Sequence, residues 1–122
     1  MANILIVDDD EIMRALFEGM VTEAGHQATL CGTSQEAIRI AEEIKPDLII
    51  TDIFIPEEGG LKVIGHVKEV LPDTKIIAIS GFDIRQDVDV LELAKRGGAD
   101  ETFSKPVHAQ VLCETIKLLL ES

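Results

Sequence analysis

Hydrophobic positions along the chain switch repeatedly between two spacings. Asn3-Ile-Leu-Ile-Val7 is a short unbroken apolar run, the pattern of a strand buried on both faces. Ile12, Leu16, Met20 and Ala24 then recur at helical spacing, and Gly25 supplies the stop. A weaker strand is expected at Gln27 to Cys31. Thr33-x-x-Glu36 reads as a capping box opening a helix through Ala37, Ile40, Ala41 and Ile44, halted before Pro46. The alternation continues with a strand at Leu48 to Thr51, a helix marked by Leu61, Ile64, Val67 and Leu71, and a strand at Lys75 to Ile79. A helix from Val88 to Arg96, stopped by Gly97-Gly98, precedes a last strand at Glu101 to Ser104. Val111, Leu112, Ile116 and Leu119 mark the face of a closing helix. Five strands alternating with five helices predict a doubly wound α/β fold, a parallel sheet between two helical layers joined by right-handed crossovers.

In such a sheet all C-terminal strand ends lie along one edge, so the residues that follow each strand are neighbours whatever their distance in sequence. Here they are Asp8, Asp9 and Asp10 after the first strand, Asp52 after the third, Ser80 after the fourth and Lys105 after the fifth. If the strand order is 2-1-3-4-5, the second strand is an edge strand, and the first and third are adjacent at the switch point where ligands bind. That order brings Asp8 and Asp9 beside Asp52. Two carboxylates ~4 Å apart repel by about 4 kcal/mol at an effective dielectric of ~20, so a proton or a cation is needed between them. An all-oxygen donor set suits Mg²⁺. His26, His66 and His108 are not expected on this edge, which disfavours zinc. Carboxylates, a divalent ion, a lysine and a hydroxyl converging on one point are the parts of a phosphoryl-transfer site, with Asp52 the best-placed nucleophile.

Composition narrows the partners. The 122 residues suit one domain over residues 1–122, and 11 Lys and Arg against 23 Asp and Glu give a formal charge of −12. So acidic a chain argues against binding a nucleic-acid duplex or an anionic lipid surface. The first apolar run is too short for a signal peptide and no stretch approaches the roughly 20 apolar residues of a membrane span, so a cytoplasmic location is expected. Cys31 and Cys113, far apart and without a C-x-x-C pattern, read as small core residues rather than a disulfide.

At this point the sequence resembles the receiver domain of two-component response regulators. The resemblance rests on Ile-Leu-Ile-Val-Asp8-Asp9, Ile-Ile-Thr-Asp52-Ile-Phe-Ile-Pro56, Ala-Ile-Ser80-Gly81, Gly98-Ala-Asp and Ser-Lys105-Pro106, in this order and spacing over essentially the whole chain. It implies a flavodoxin-like order 2-1-3-4-5 and a phosphorylatable signalling switch that assists its own phosphorylation and dephosphorylation. Asp52 resembles the phosphoacceptor, Asp9 the direct Mg²⁺ ligand, Asp8 the ligand acting mainly through water, and Phe54 the ligand acting through its carbonyl. Lys105 resembles the phosphoryl-contacting lysine, joined to Pro106 by a cis peptide, Ser80 the switch hydroxyl, and Gly60 the turn glycine. The implied partners are a sensor histidine kinase or phosphotransfer protein upstream and a downstream protein target.

Two departures from the family are visible. Thr102 stands where an aromatic switch residue is common, and Phe103 beside it should point to the opposite sheet face. The segment between Ser80 and Gly98 is a few residues longer than is common in the family. The resemblance implies that Phe54 and Phe82 stand at the positions flanking the path of a hydrolytic water. A rival reading is a small Mg²⁺-dependent phosphatase of the haloacid-dehalogenase type using Asp8-x-Asp10. That family needs a further acidic pair after the lysine, where this chain has only Glu114 and Glu121. A second rival, a flavodoxin-like binding module, is disfavoured by the scarcity of aromatics for flavin stacking.

Overall fold

A computed structural model describes residues 1–56, 59–81 and 87–122, with residues 87–89 described as backbone. The elements run β1 (Asn3–Val7), α1 (Glu11–Glu23), β2 (Gln27–Cys31), α2 (Ser34–Ile44), β3 (Leu48–Asp52), α3 (Gly60–Val70), β4 (Lys75–Ser80), α4 (Asp87–Gly97), β5 (Glu101–Ser104) and α5 (Ala109–Glu121). All strand pairings are parallel and the order is β2-β1-β3-β4-β5, as expected. Asp52 and Ser80 are the last residues of their strands rather than the first beyond them.

Alternation along the strands feeds two separate cores. Ile4, Ile6, Leu48, Ile50, Ile77 and Ile79 face α1 and α5, where Phe17, Val21, Leu112 and Ile116 are buried. Leu5, Val7, Ile49, Ile76 and Ala78 face α2, α3 and α4, where Ala37, Ala41, Val63, Ile64, Val67 and Ala94 are buried. β1, β3 and β4 lie at the centre and are covered on both sides, which is why their sequences are unbroken aliphatic runs. Phe103 packs into the α1–α5 core, while Thr102 pairs in register with Ala78, a residue of the opposite core. The parity argument for these two residues therefore holds.

Helix starts follow their local chemistry. The Asp10 side chain accepts from the Ile12 amide to cap α1, and Thr33 accepts from the Glu36 amide at 3.2 Å to cap α2. The apolar spacing misjudged how α1 is rotated. Its packing face is Met13, Phe17, Met20 and Val21, while Ile12 is 71% exposed and Leu16 51%. α1 carries two apolar stripes, and turning Phe17 inward removes the larger apolar area from water. Val111 of α5 and Leu61 of α3 are likewise exposed, beside the buried Leu112, Val63 and Ile64. Cys31 and Cys113 are both free. Burial pushes the Cys31 thiol up to about 12, so it stays an uncharged core atom.

Candidate functional site

The site forms where β1, β3 and β5 end. β1 and β3 pair directly, Val7 opposite Thr51, so the residues that follow each come side by side. Asp8 and Asp52 are buried, Asp9 is exposed, and one carboxylate oxygen from each lies within 4.8 Å of the others. Lys105, arriving from β5, places its Nζ 2.7 Å from Asp52 Oδ2 and 3.2 Å from Asp8 Oδ2. One ammonium therefore bridges the two buried acids of a cluster of three carboxylates.

Backbone amides hold the acids in place. The Asp10 amide donates to Asp8 Oδ1 at 2.9 Å, and the Phe54 amide donates to Asp52 Oδ1 at 2.9 Å. Burial, with the charge of Asp52 adding to it, raises the Asp8 carboxyl above its ordinary range, against the Asp10 amide and Lys105, which work the other way. Burial alone would lower Lys105, but its hydrogen bond to Asp52 and the charges of Asp52 and Asp8 outweigh that, so the ammonium is held more firmly than usual. The cluster is thus an excess of hard oxygen donors in a partly desolvated crevice, a set that fits a hard divalent cation. No histidine belongs to it.

Other residues named from sequence fall around this centre. Ser80 is fully buried at the end of β4 and donates from Oγ to the Gly81 carbonyl at 3.3 Å. Phe54 is 48% exposed on the loop after β3. The Lys105–Pro106 peptide is cis. Gly60 donates its amide to Ile53 O at 2.8 Å, and a Cβ there would overlap the Asp52 carbonyl and lie 2.8 Å from Ile53 Cα. Only glycine lets α3 begin so close to the acid's backbone. Phe82, and the added length suggested after Ser80, lie outside the described residues.

Sequence reasoning missed Arg14 and Gly32. Arg14 Nη1 donates to the backbone carbonyl of Asp8 at 2.7 Å. Gly32, directly after β2, leaves room for that guanidinium. The available signal was position: Arg14 is the sole basic residue in α1, one turn beyond the aspartates, and Gly32 sits at the C-terminal edge.

Residues 4–117 match the response regulator receiver domain. The polar-differentiation response regulator DivK of Brucella ovis is 33% identical over 120 residues, covering 97% of this chain and 95% of its own. Among solved structures, a response regulator receiver domain protein from Clostridium thermocellum superposes with a TM-score of 0.92 at 28% identity, over 99% of this chain and 95% of that one. The receiver domain of NtrX from Brucella abortus gives 0.90 at 26% identity, over 98% of each.

Proposed function

The chain belongs to the response regulator receiver domains, phosphorylatable switches of two-component signalling, and from that premise we propose that Asp52 is its phosphoacceptor, served by Lys105, Ser80 and a Mg²⁺ ion. The ion's ligands would be Asp8, Asp9, Asp52 and the Phe54 carbonyl. The observation that carries the reading is the Lys105 ammonium bridging Asp52 and Asp8 within a cluster of three carboxylates.

The donor is a phosphohistidine on a sensor kinase or phosphotransfer protein. An Asp52 oxygen attacks phosphorus. Its O–P bond forms as the donor N–P bond breaks, and the donor leaves as neutral imidazole with its other nitrogen protonated. Mg²⁺ in the crevice would neutralise phosphoryl oxygens. Lys105 contributes a second positive charge to the same oxygens, and Ser80 donates a hydrogen bond to one of them. These are the chain's own means of assisting the transfer. Engaging Lys105 and Ser80 with the phosphoryl group would alter the surface of α4, β5 and α5, which meets a downstream protein in the cytoplasm. Among the described residues no helix is long and apolar enough to cross a membrane. Residues 1–122 act as one such domain. Amide-exchange changes confined to α1 and α2 on phosphorylation would contradict this output surface.

The test is labelling with acetyl phosphate and Mg²⁺, followed by mass spectrometry. Asp52→Asn should abolish the label and Asp8→Asn should only weaken it. Label retained in Asp52→Asn would overturn the assignment. Exposed, apolar Phe54 is also expected to hinder a water approaching the acyl phosphate in line. Phe54→Asn should therefore shorten the half-life of isolated phosphoprotein, and an unchanged half-life would refute the screening role.

A further inference from the structure

We propose that Arg14 is a positioning residue for the divalent-cation site: it holds the peptide between Asp8 and Asp9 so that the Asp9 carboxylate stands beside those of Asp8 and Asp52. The proposal rests on the Mg²⁺ reading above.

Arg14 Nη1 bonds the Asp8 carbonyl at 2.7 Å, short for a nitrogen donor and charge-assisted. That carbonyl belongs to the planar unit joining Asp8 to Asp9, so fixing its direction fixes the plane and Asp9 Cα with it. The space is closed on the other side by β2. A Cβ added to Gly32 would lie 2.8 Å from Arg14 Nη1 and 3.8 Å from both Asp8 O and Asp9 Cα. The guanidinium is thus wedged between the end of β2 and the turn that carries the acids.

Asp9 depends on this wedge more than its neighbours do. Asp8 and Asp52 are buried and tied to Lys105 and to backbone amides. Asp9 is exposed, so its placement follows from the backbone beneath it. Charge and geometry predict opposite outcomes here. By Coulomb repulsion alone, removing a guanidinium near a cation site should tighten the cation. If Arg14 positions Asp9, its loss should weaken binding, by the roughly 10–100-fold typical of partners that orient metal ligands.

Calorimetric Mg²⁺ titration of the whole chain, which has no Trp or Tyr to report by fluorescence, decides the matter. It is run on the parent and on Arg14→Gln, Arg14→Lys, Gly32→Ala and Asp9→Asn, with thermal unfolding of each in chelator. Arg14→Gln should raise the Mg²⁺ Kd about tenfold, and Arg14→Lys, which keeps a cationic donor, should recover much of that loss. Gly32→Ala keeps the charge but displaces the guanidinium, so it should weaken Mg²⁺ too, and it carries the test if Arg14→Gln fails to fold. Parent-like or tighter binding in Arg14→Gln, or in Gly32→Ala where Arg14→Gln does not fold, with Asp9→Asn impaired, overturns the role of Arg14 and leaves the cation site standing. Undiminished binding in Asp9→Asn overturns the Mg²⁺ reading and the proposal with it.

Discussion

The two edges of the sheet use the same kinds of residue in opposite ways. At the edge where strands begin, one side chain closes each of the four strand junctions. The Ala2 amide donates to His26 Nδ1 at 3.1 Å between β1 and β2, and the Asn3 amide donates to Asp47 Oδ2 at 2.8 Å between β1 and β3. Thr74 Oγ1 donates to Pro46 O at 2.8 Å between β3 and β4, and the Ile76 amide donates to Asp100 Oδ2 at 2.7 Å between β4 and β5. Each polar group there meets a partner of the opposite kind. At the edge where strands end, Asp8, Asp9 and Asp52 face one another, and Lys105 alone among the described cations ion-pairs with the cluster. A carboxylate that accepts a strand amide holds the sheet together, and a carboxylate set against its like stores repulsion that a ligand can relieve. One edge pairs its polar groups, and the other leaves an excess of negative charge.

The contrast predicts mutational effects of opposite sign. Asp100→Ala strips the Ile76 amide of its acceptor and leaves Lys68, 3.4 Å away, without its partner. It should lower stability by about 1–3 kcal/mol, read by denaturant unfolding, and should spare Mg²⁺ affinity. Asp8→Asn should do the reverse, raising the unfolding midpoint in chelator by a smaller amount while weakening Mg²⁺. Because burial raises the folded-state pKa of Asp8, its ionised form costs stability at every pH above the unfolded value of 3.8. That cost is full above the raised folded value, shrinks as pH falls through it and is gone below 3.8. A drop in metal-free stability in Asp8→Asn would erase the distinction between the edges.

The smallest expected effect separates the edges by pH. Burial, and the positive N-terminus, lower the folded-state pKa of His26 from 6.5. The unfolded chain then takes up a proton at higher pH than the folded one does. Stability should fall as pH drops below 6.5 towards the lowered value, and be whole above it. His26→Asn should flatten this slope and leave the Asp8 response, which has the opposite sign, unchanged. An identical slope in His26→Asn would move the proton uptake elsewhere.

The sheet and the site were legible in sequence for one reason: unbroken aliphatic runs mark central parallel strands, and whatever ends such a run lies on the working edge. Asp8, Asp52 and Lys105 followed from that rule and meet within hydrogen-bonding distance. Helix orientation was less legible, because Ile12-Leu16 and Met13-Phe17 both satisfy helical spacing and side-chain size decides between them. The Gly98-Ala-Asp stretch was visible as a family mark, but the junction Asp100 makes with Ile76 depends on strand register, which no local pattern encodes. Arg14 escaped for a similar reason, since its partner is a backbone carbonyl and leaves no trace in residue types.

The bridge between Lys105 and Asp8 spans 97 positions of chain, and that between Lys105 and Asp52 spans 53. A contact of that separation is entropically late, since most of the polypeptide must be ordered before its ends can meet. Folding intermediates lacking β5 would hold the acids of β1 and β3 with no ammonium between them. The bridged cluster is therefore complete only once the last strand is in place. Any event that loosens the last strand, from a truncation to a bound chaperone, should silence phosphoryl acceptance before the central sheet itself gives way.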